Sequence, residues 1–182
     1  MSGRPVTGSE TGPGALYHNK ARAEIESAES LVAQDHVRGA GDVMADVLLV
    51  KGEPGEADRA SGRALAGADG QAVHKALDAL GLSDARYAVC SRVRPRDVRE
   101  CRARLRLLVE AVDPRGVGGL AEDAAADFGE ALSAVLPEPG VMARIGGRAV
   151  VVVDNFAASL GDEDLKRRVW RQLQALRDSD HV

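Results

Sequence analysis

Residues 46–82 read DVLLVKGEPGEADRASGRALAGADGQAVHKALDALGL. The run Asp46–Val50 is short, apolar and β-branched and stops at a Gly/Pro segment, which marks a buried strand. A glycine-rich loop is expected from Lys51 to about Asp69. Val73, Leu77 and Leu80 then recur at helical spacing until Gly81 ends the pattern. A buried strand, a glycine-rich turn and an amphipathic helix in succession form the repeating unit of a parallel α/β sheet.

The flanking sequence repeats this alternation. Met1–Ala15 is polar and rich in Gly, Ser and Pro and reads as a disordered tail. Tyr17–Ala33 reads as an exposed helix. Downstream, Ala85–Ser91 is a second strand. Asp97 then caps a helix whose Val98, Cys101, Leu105, Leu108 and Val112 form one apolar stripe. Arg115–Leu120 occupies a strand's place despite its glycines. Glu122–Leu136 is a helix, Ala149–Val153 is the most apolar strand, and Leu165–Leu176 closes as an amphipathic helix. The expectation is a tail over 1–15 and one α/β domain over 16–182. Its architecture would be a three-layer α/β/α sandwich around a short, mostly parallel, four-stranded sheet. Ligands of such sheets bind at the carboxyl ends of the strands, which directs attention to Lys51–Gly67, Ser91–Asp97 and Asp154–Gly161.

Composition narrows the function classes. The chain has 182 residues, 45% of them hydrophobic, and a net charge of −4, which excludes a uniformly basic nucleic-acid coat. Aromatic residues make up only 3%, so little side-chain surface exists on which to stack exposed bases. The two cysteines, Cys90 and Cys101, cannot form a disulfide framework, nor can two ligands alone hold a structural zinc. The four histidines lack metal-ligand spacing, so no metal is expected. The N-terminal segment lacks an apolar h-region and no apolar run approaches bilayer length. A cytoplasmic protein, monomeric and without a membrane partner, is the expectation.

Pro54-Gly55, six residues, Gly62-Arg63, then Gly67 and Gly70 form a spaced motif. It is followed by a strand, an arginine-rich helix containing Cys101, a late strand with a short loop, and a helix with Val169-Trp170. In order and spacing, from about Asp46 to Leu176, these blocks resemble the uracil-DNA glycosylase superfamily, in the bacterial and archaeal branch related to its iron–sulfur members. The resemblance implies a uracil-DNA glycosylase-like fold and a pocket for a base flipped out of DNA. Such an enzyme needs a polar group to place water, a donor for the leaving oxygen, an amide to read the base edge and an aromatic ring against it.

Carried over position by position, most of these groups are altered. The water-placing position falls on Gly52. A one-residue slip of the loop gives Glu53 instead, and Glu56 and Asp58 are nearby candidates. Pro54 and Gly55 would border the base pocket. The stacking position is Leu65, and the base-reading amide is replaced by Cys90, whose thiol is a weak donor. The family histidine falls on Asp154, whose like charge opposes the leaving oxygen; Asn155 is the neighbouring donor, and Phe156 a replacement ring. Of the cluster cysteines only Cys101 matches, so the iron–sulfur cluster is expected to be absent and no cofactor is expected.

Seven arginines lie between residues 92 and 106. Arg92, Arg94, Arg96 and Arg99, with Arg63 in the glycine loop, are candidates for DNA phosphate contact. The same residues equally suit a solvated helix face. The leading expectation is a divergent superfamily protein that binds DNA, or a flipped or damaged base, with weak or no uracil excision. The alternatives are an active DNA glycosylase of altered base specificity in base-excision repair, and a non-catalytic protein-interaction scaffold.

Overall fold

Val47–Lys51 (β2) is buried on both faces, and its side chains divide with the two-residue strand period. Leu48 and Val50 enter one apolar cluster and Val47 and Leu49 the other. The computed structural model describes residues 12–32, 35–82, 84–93 and 98–177. The elements, in chain order, are α1 (Pro13–Glu29), β1 (Ala40–Gly41), β2, α2 (Glu56–Ser61), α3 (Ala68–Ala79), β3 (Arg86–Cys90), α4 (Val98–Val112), β4 (Gly116–Gly119), α5 (Glu122–Leu132), β5 (Met142–Ile145), β6 (Arg148–Val152), α6 (Phe156–Ser159) and α7 (Glu163–Arg177). One sheet runs in the order β1-β3-β2-β4-β6-β5.

The four expected strands form its parallel centre, β3-β2-β4-β6. The sheet nevertheless has six strands, not four, and is mixed, because β1 pairs antiparallel with β3 and β5 antiparallel with β6. β5 and β6 are joined by Gly146 and Gly147, with φ of 57° and 83°. A two-residue hairpin loop demands such left-handed values, and glycine supplies them without steric cost. Helix boundaries also move. α1 starts at Pro13, inside the segment expected to be a tail, and the loop after β2 contains α2 and gives way to α3 at Ala68. The helix expected to reach Leu136 stops at Leu132, where Ser133 takes a left-handed conformation.

Helices cover both faces. Ile25 and Ala28 of α1, Leu105, Leu108, Val109 and Val112 of α4, and Phe128 of α5 pack with Leu48 and Val50. Val73 and Leu77 of α3 and Val169, Leu173 and Leu176 of α7 pack with Leu49 and Val151. The glycines of β4 suit this arrangement. A Cβ on Gly118 would lie 3.3 Å from Leu49 Cδ2 and 3.5 Å from Leu176 Cδ1, so the bare backbone lets α7 close on the sheet.

Between α1 and α4 lies a buried ionic network. Arg104 is 0% exposed. Its Nε donates to Glu29 Oε2 (2.7 Å) and its Nη2 to Glu29 Oε1 (3.1 Å), while Nη1 donates to the Cys90 carbonyl (2.9 Å). Glu29 also accepts from the Gly39 N–H at 2.9 Å and lies 2.5 Å from His36 Nε2. Burial pushes the Glu29 carboxyl up, but the hydrogen bonds and charge of Arg104, with those of His36 and Gly39, outweigh it and hold the group below its ordinary value of 4.5.

Glu29→Gln should therefore cost about 3–5 kcal/mol, because it strands a buried guanidinium, and urea denaturation at neutral pH measures the loss. The native state binds the Glu29 proton less readily than the unfolded chain. The stabilisation is thus complete above pH 4.5 and is lost as pH falls through the depressed native value. The Gln variant should lack this component of acid unfolding.

Candidate functional site

Lys51 ends β2, and Gly52, Glu53 and Pro54 lead into α2. The loop is held by charge. Lys51 Nζ donates to Asp58 Oδ2 (2.7 Å) and Asp69 Oδ2 (2.5 Å). Asp58, 1% exposed, also accepts from the Gly55 N–H at Oδ2 and the Ala66 N–H at Oδ1, each at 2.8 Å. Burial raises the Asp58 carboxyl, but the Lys51 hydrogen bond and the two amides prevail and keep it below 3.8. Burial likewise lowers Lys51, and the two carboxylates more than compensate, raising it above 10.5. Leu65, past the end of α2, has a φ of 54°. That strained left-handed backbone costs about 1–2 kcal/mol and brings the Leu65 carbonyl so close to Gly70 that any Cβ there would overlap it.

A cleft of about 220 Å³ opens where the carboxyl ends of β2, β4 and β6 meet. Lys51, Gly52, Glu53 and Asp69 form one side, Leu120, Ala121 and Asp123 the floor after β4, and Asn155, Phe156 and Ala157 the other side. Asp123 Oδ1 accepts from the Ala124 N–H at 2.8 Å, and its Oδ2 stands over Gly52, in space that a Cβ on that glycine would occupy. Asn155 caps α6, its Oδ1 accepting from the Ala158 N–H at 3.0 Å, which leaves its amide N–H groups as donors. Phe156 is fixed by its N–H bond to the Leu120 carbonyl (2.9 Å) and packs into the core beneath.

The sequence-derived candidates divide accordingly. Gly52, Glu53, Asn155 and Phe156 come together in the cleft. Asp58, Pro54, Gly55, Leu65, Cys90 and Asp154 do not line it. Asp58 is a staple of the loop, and Leu65 is buried among Val73 and Leu77. Burial pushes the Cys90 thiol up to about 12, so it stays neutral in the core. Asp154 turns to α7: its N–H donates to Gln172 Oε1 at 2.9 Å, and its Oδ2 is 3.5 Å from Arg168 Nη1.

Beyond Glu53 a second cleft of about 320 Å³ lies between the end of β3 and α4, lined by Ser91, Arg92, Cys101, Arg102, Leu105 and Asp127 among others. Arg92 grips Asp127 with two hydrogen bonds, Nε to Oδ2 at 2.7 Å and Nη2 to Oδ1 at 3.1 Å, and the Ser91 hydroxyl donates to the same carboxylate. The bonds to Asp127 raise Arg92 above its ordinary value, against burial, with the charges of Asp123 and Glu53 contributing. Of the phosphate candidates Arg92 is thus paired internally, and within the same arginine run Arg102 pairs with Glu130, Arg104 with Glu29 and Arg106 with Glu110. Arg63 and Arg99 are exposed, and Arg94 and Arg96 lie outside the described residues, as does Asp97, the cap expected from the sequence.

Asp69 and Asp123 are the carboxylates of the cleft that the sequence motifs did not single out. The carboxyl-end rule would have found Asp123 had it been applied to the glycine-rich strand before it. Among the described residues there is no group of three or more His, Cys, Asp or Glu side chains placed to hold a metal ion, and no helix is long and apolar enough to cross a membrane. No protein-family model matches the chain, and no curated protein matches it in sequence.

Asp58→Ala should leave Lys51 and the Gly55 and Ala66 amides short of partners, costing about 2–4 kcal/mol. Limited proteolysis should then cut between residues 52 and 66, where the native chain resists.

Proposed function

We propose that the chain is a divergent uracil-DNA glycosylase superfamily protein that binds DNA through an extruded base and excises uracil weakly or not at all. The cleft's charge carries this reading. Three carboxylates, Glu53, Asp69 and Asp123, border it against one lysine already paired twice. Uracil leaves as an anion, and excision needs donors aimed at its oxygen; carboxylates oppose that charge where an oxyanion site would stabilise it. Among the described residues Asn155 is the one neutral side-chain donor on the cleft wall. Binding a neutral base does not meet this penalty. The two blocks that carry the resemblance, the glycine loop after β2 and the segment after β6, supply opposite walls of this cleft at the strand ends where α/β ligands bind.

Glu53 supports the alternative of an active glycosylase with altered specificity, since it borders both clefts and is exposed enough to orient a water. A competing scaffold role predicts no nucleic-acid affinity.

The test pairs excision with binding. On single-stranded uracil oligonucleotides, release should run at least about 10²–10³-fold below that of an enzyme with a complete donor set. Fluorescence anisotropy should show salt-sensitive binding, weakened by Arg63→Ala with Arg99→Ala. Rapid uracil release overturns the weak-excision reading, and absence of binding at low salt overturns the DNA reading.

A further inference from the structure

We propose that Asp123 is the residue that reads the ligand in the strand-end cleft, accepting N–H hydrogen bonds from an amino-bearing nucleobase, and that Gly52 leaves the space this carboxylate occupies. The inference rests on the reading of the cleft as a nucleobase pocket and names the class of base.

The polar groups of the cleft are not equally available. Asp69 is occupied at both oxygens, Oδ2 by Lys51 Nζ and Oδ1 by the Gly70 N–H at 3.0 Å. Asn155 Oδ1 is taken by the Ala158 N–H. Asp123 has one oxygen held by the Ala124 N–H, while among the described residues its Oδ2 accepts no hydrogen bond. Asp123 is therefore a positioned carboxylate with an open acceptor, unlike the exposed Glu53, which is the second acceptor on the rim. Facing them is Asn155, oriented so that it presents N–H donors, and Phe156 supplies an apolar surface.

An ionised carboxylate accepts and cannot donate. Its natural counterpart on a base edge is an exocyclic amino group, as when Asp or Glu takes the N4 amino group of cytosine. Uracil presents a carbonyl oxygen at that position, and lone pairs then meet lone pairs. Beside the amino group, cytosine carries the N3 and O2 acceptors that suit the Asn155 donors.

Gly52 ties the recognition to the loop. A methyl group there would overlap the Asp123 carboxylate. The obstacle is the far end of a short side chain, so Gly52→Ala displaces the carboxylate by rotation and does little to the fold.

Short single-stranded oligothymidines carrying one central cytosine, uracil or abasic nucleotide provide the test, with affinity from anisotropy and contacts from amide shifts of the full chain. The cytosine oligonucleotide should bind about tenfold more tightly than the uracil and abasic ones, shifting the Gly52 and Asn155 amides. Asp123→Asn and Gly52→Ala should each abolish that preference, with Gly52→Ala unfolding at nearly the wild-type temperature. Equal affinity for cytosine and uracil in the wild type, or a preference that survives Asp123→Asn, overturns the role of Asp123. Equal affinity for the cytosine and abasic strands overturns it while leaving backbone DNA binding intact. Failure of all three to bind overturns the nucleobase reading itself.

Discussion

The buried Arg104–Glu29 pair is the constraint on which the rest of the molecule is arranged. Taking both charges out of water is costly, and the attraction compensates only because nearly every donor and acceptor is satisfied. Glu29 comes from α1, Arg104 from α4, the Cys90 carbonyl from the end of β3, and His36 and Gly39 from the segment leading to β1. One guanidinium thus sets the spacing of two helices and the position of a strand end. α4 also forms a wall of the second cleft through Cys101 and Leu105, so the helix that carries Arg104 borders that cleft.

A second network does the same for the glycine loop. Lys51 projects from the end of β2 into two carboxylates and converts a sequence that looks mobile into a fixed rim. The two networks lie on opposite sides of β2 and β3, one below α4 and one below α2 and α3. Between them the ends of β2 and β3 are tied to the surrounding helices on both faces, and the clefts open along this edge. Their charge is mostly spent inward, so the face presented to a ligand is defined by the few groups left over.

The fold was legible wherever burial followed local period. The strand 47–50, the stripe Cys101, Leu105, Leu108 and Val112, and the α7 stripe Val169, Leu173 and Leu176 are all buried. The same period places Arg104 beside Cys101 and Leu108 on the inward face of α4, yet a charge there reads as exposed unless its partner is known. Glu29 lies 75 residues away, a separation no local pattern spans. β1 escaped notice because two residues carry no period, and β5 because Met142–Ile145 is only half-buried. The Gly146-Gly147 pair before Ala149–Val153 was the readable sign of that hairpin. In the cleft, Gly52, Glu53 and Asn155 were reached through the family resemblance, whereas Asp123, just past the glycine-rich β4, belongs to none of the blocks that carry it and meets Gly52 only in the folded chain.

The two short antiparallel strands have a consequence for behaviour at high concentration. The centre of the sheet contains the stretches VLLV and AVVVV, the kind of sequence that recruits further strands when an edge is left open. β1 is only two residues long, and at Gly41 its backbone turns to a φ of 131° that a continuing ladder cannot follow. On the other side β5 interposes the strand MARI, with the charged Arg144 exposed, between the valines and solvent. The minor strands thus act as bumpers, keeping the most adhesive part of the chain from pairing with its neighbours.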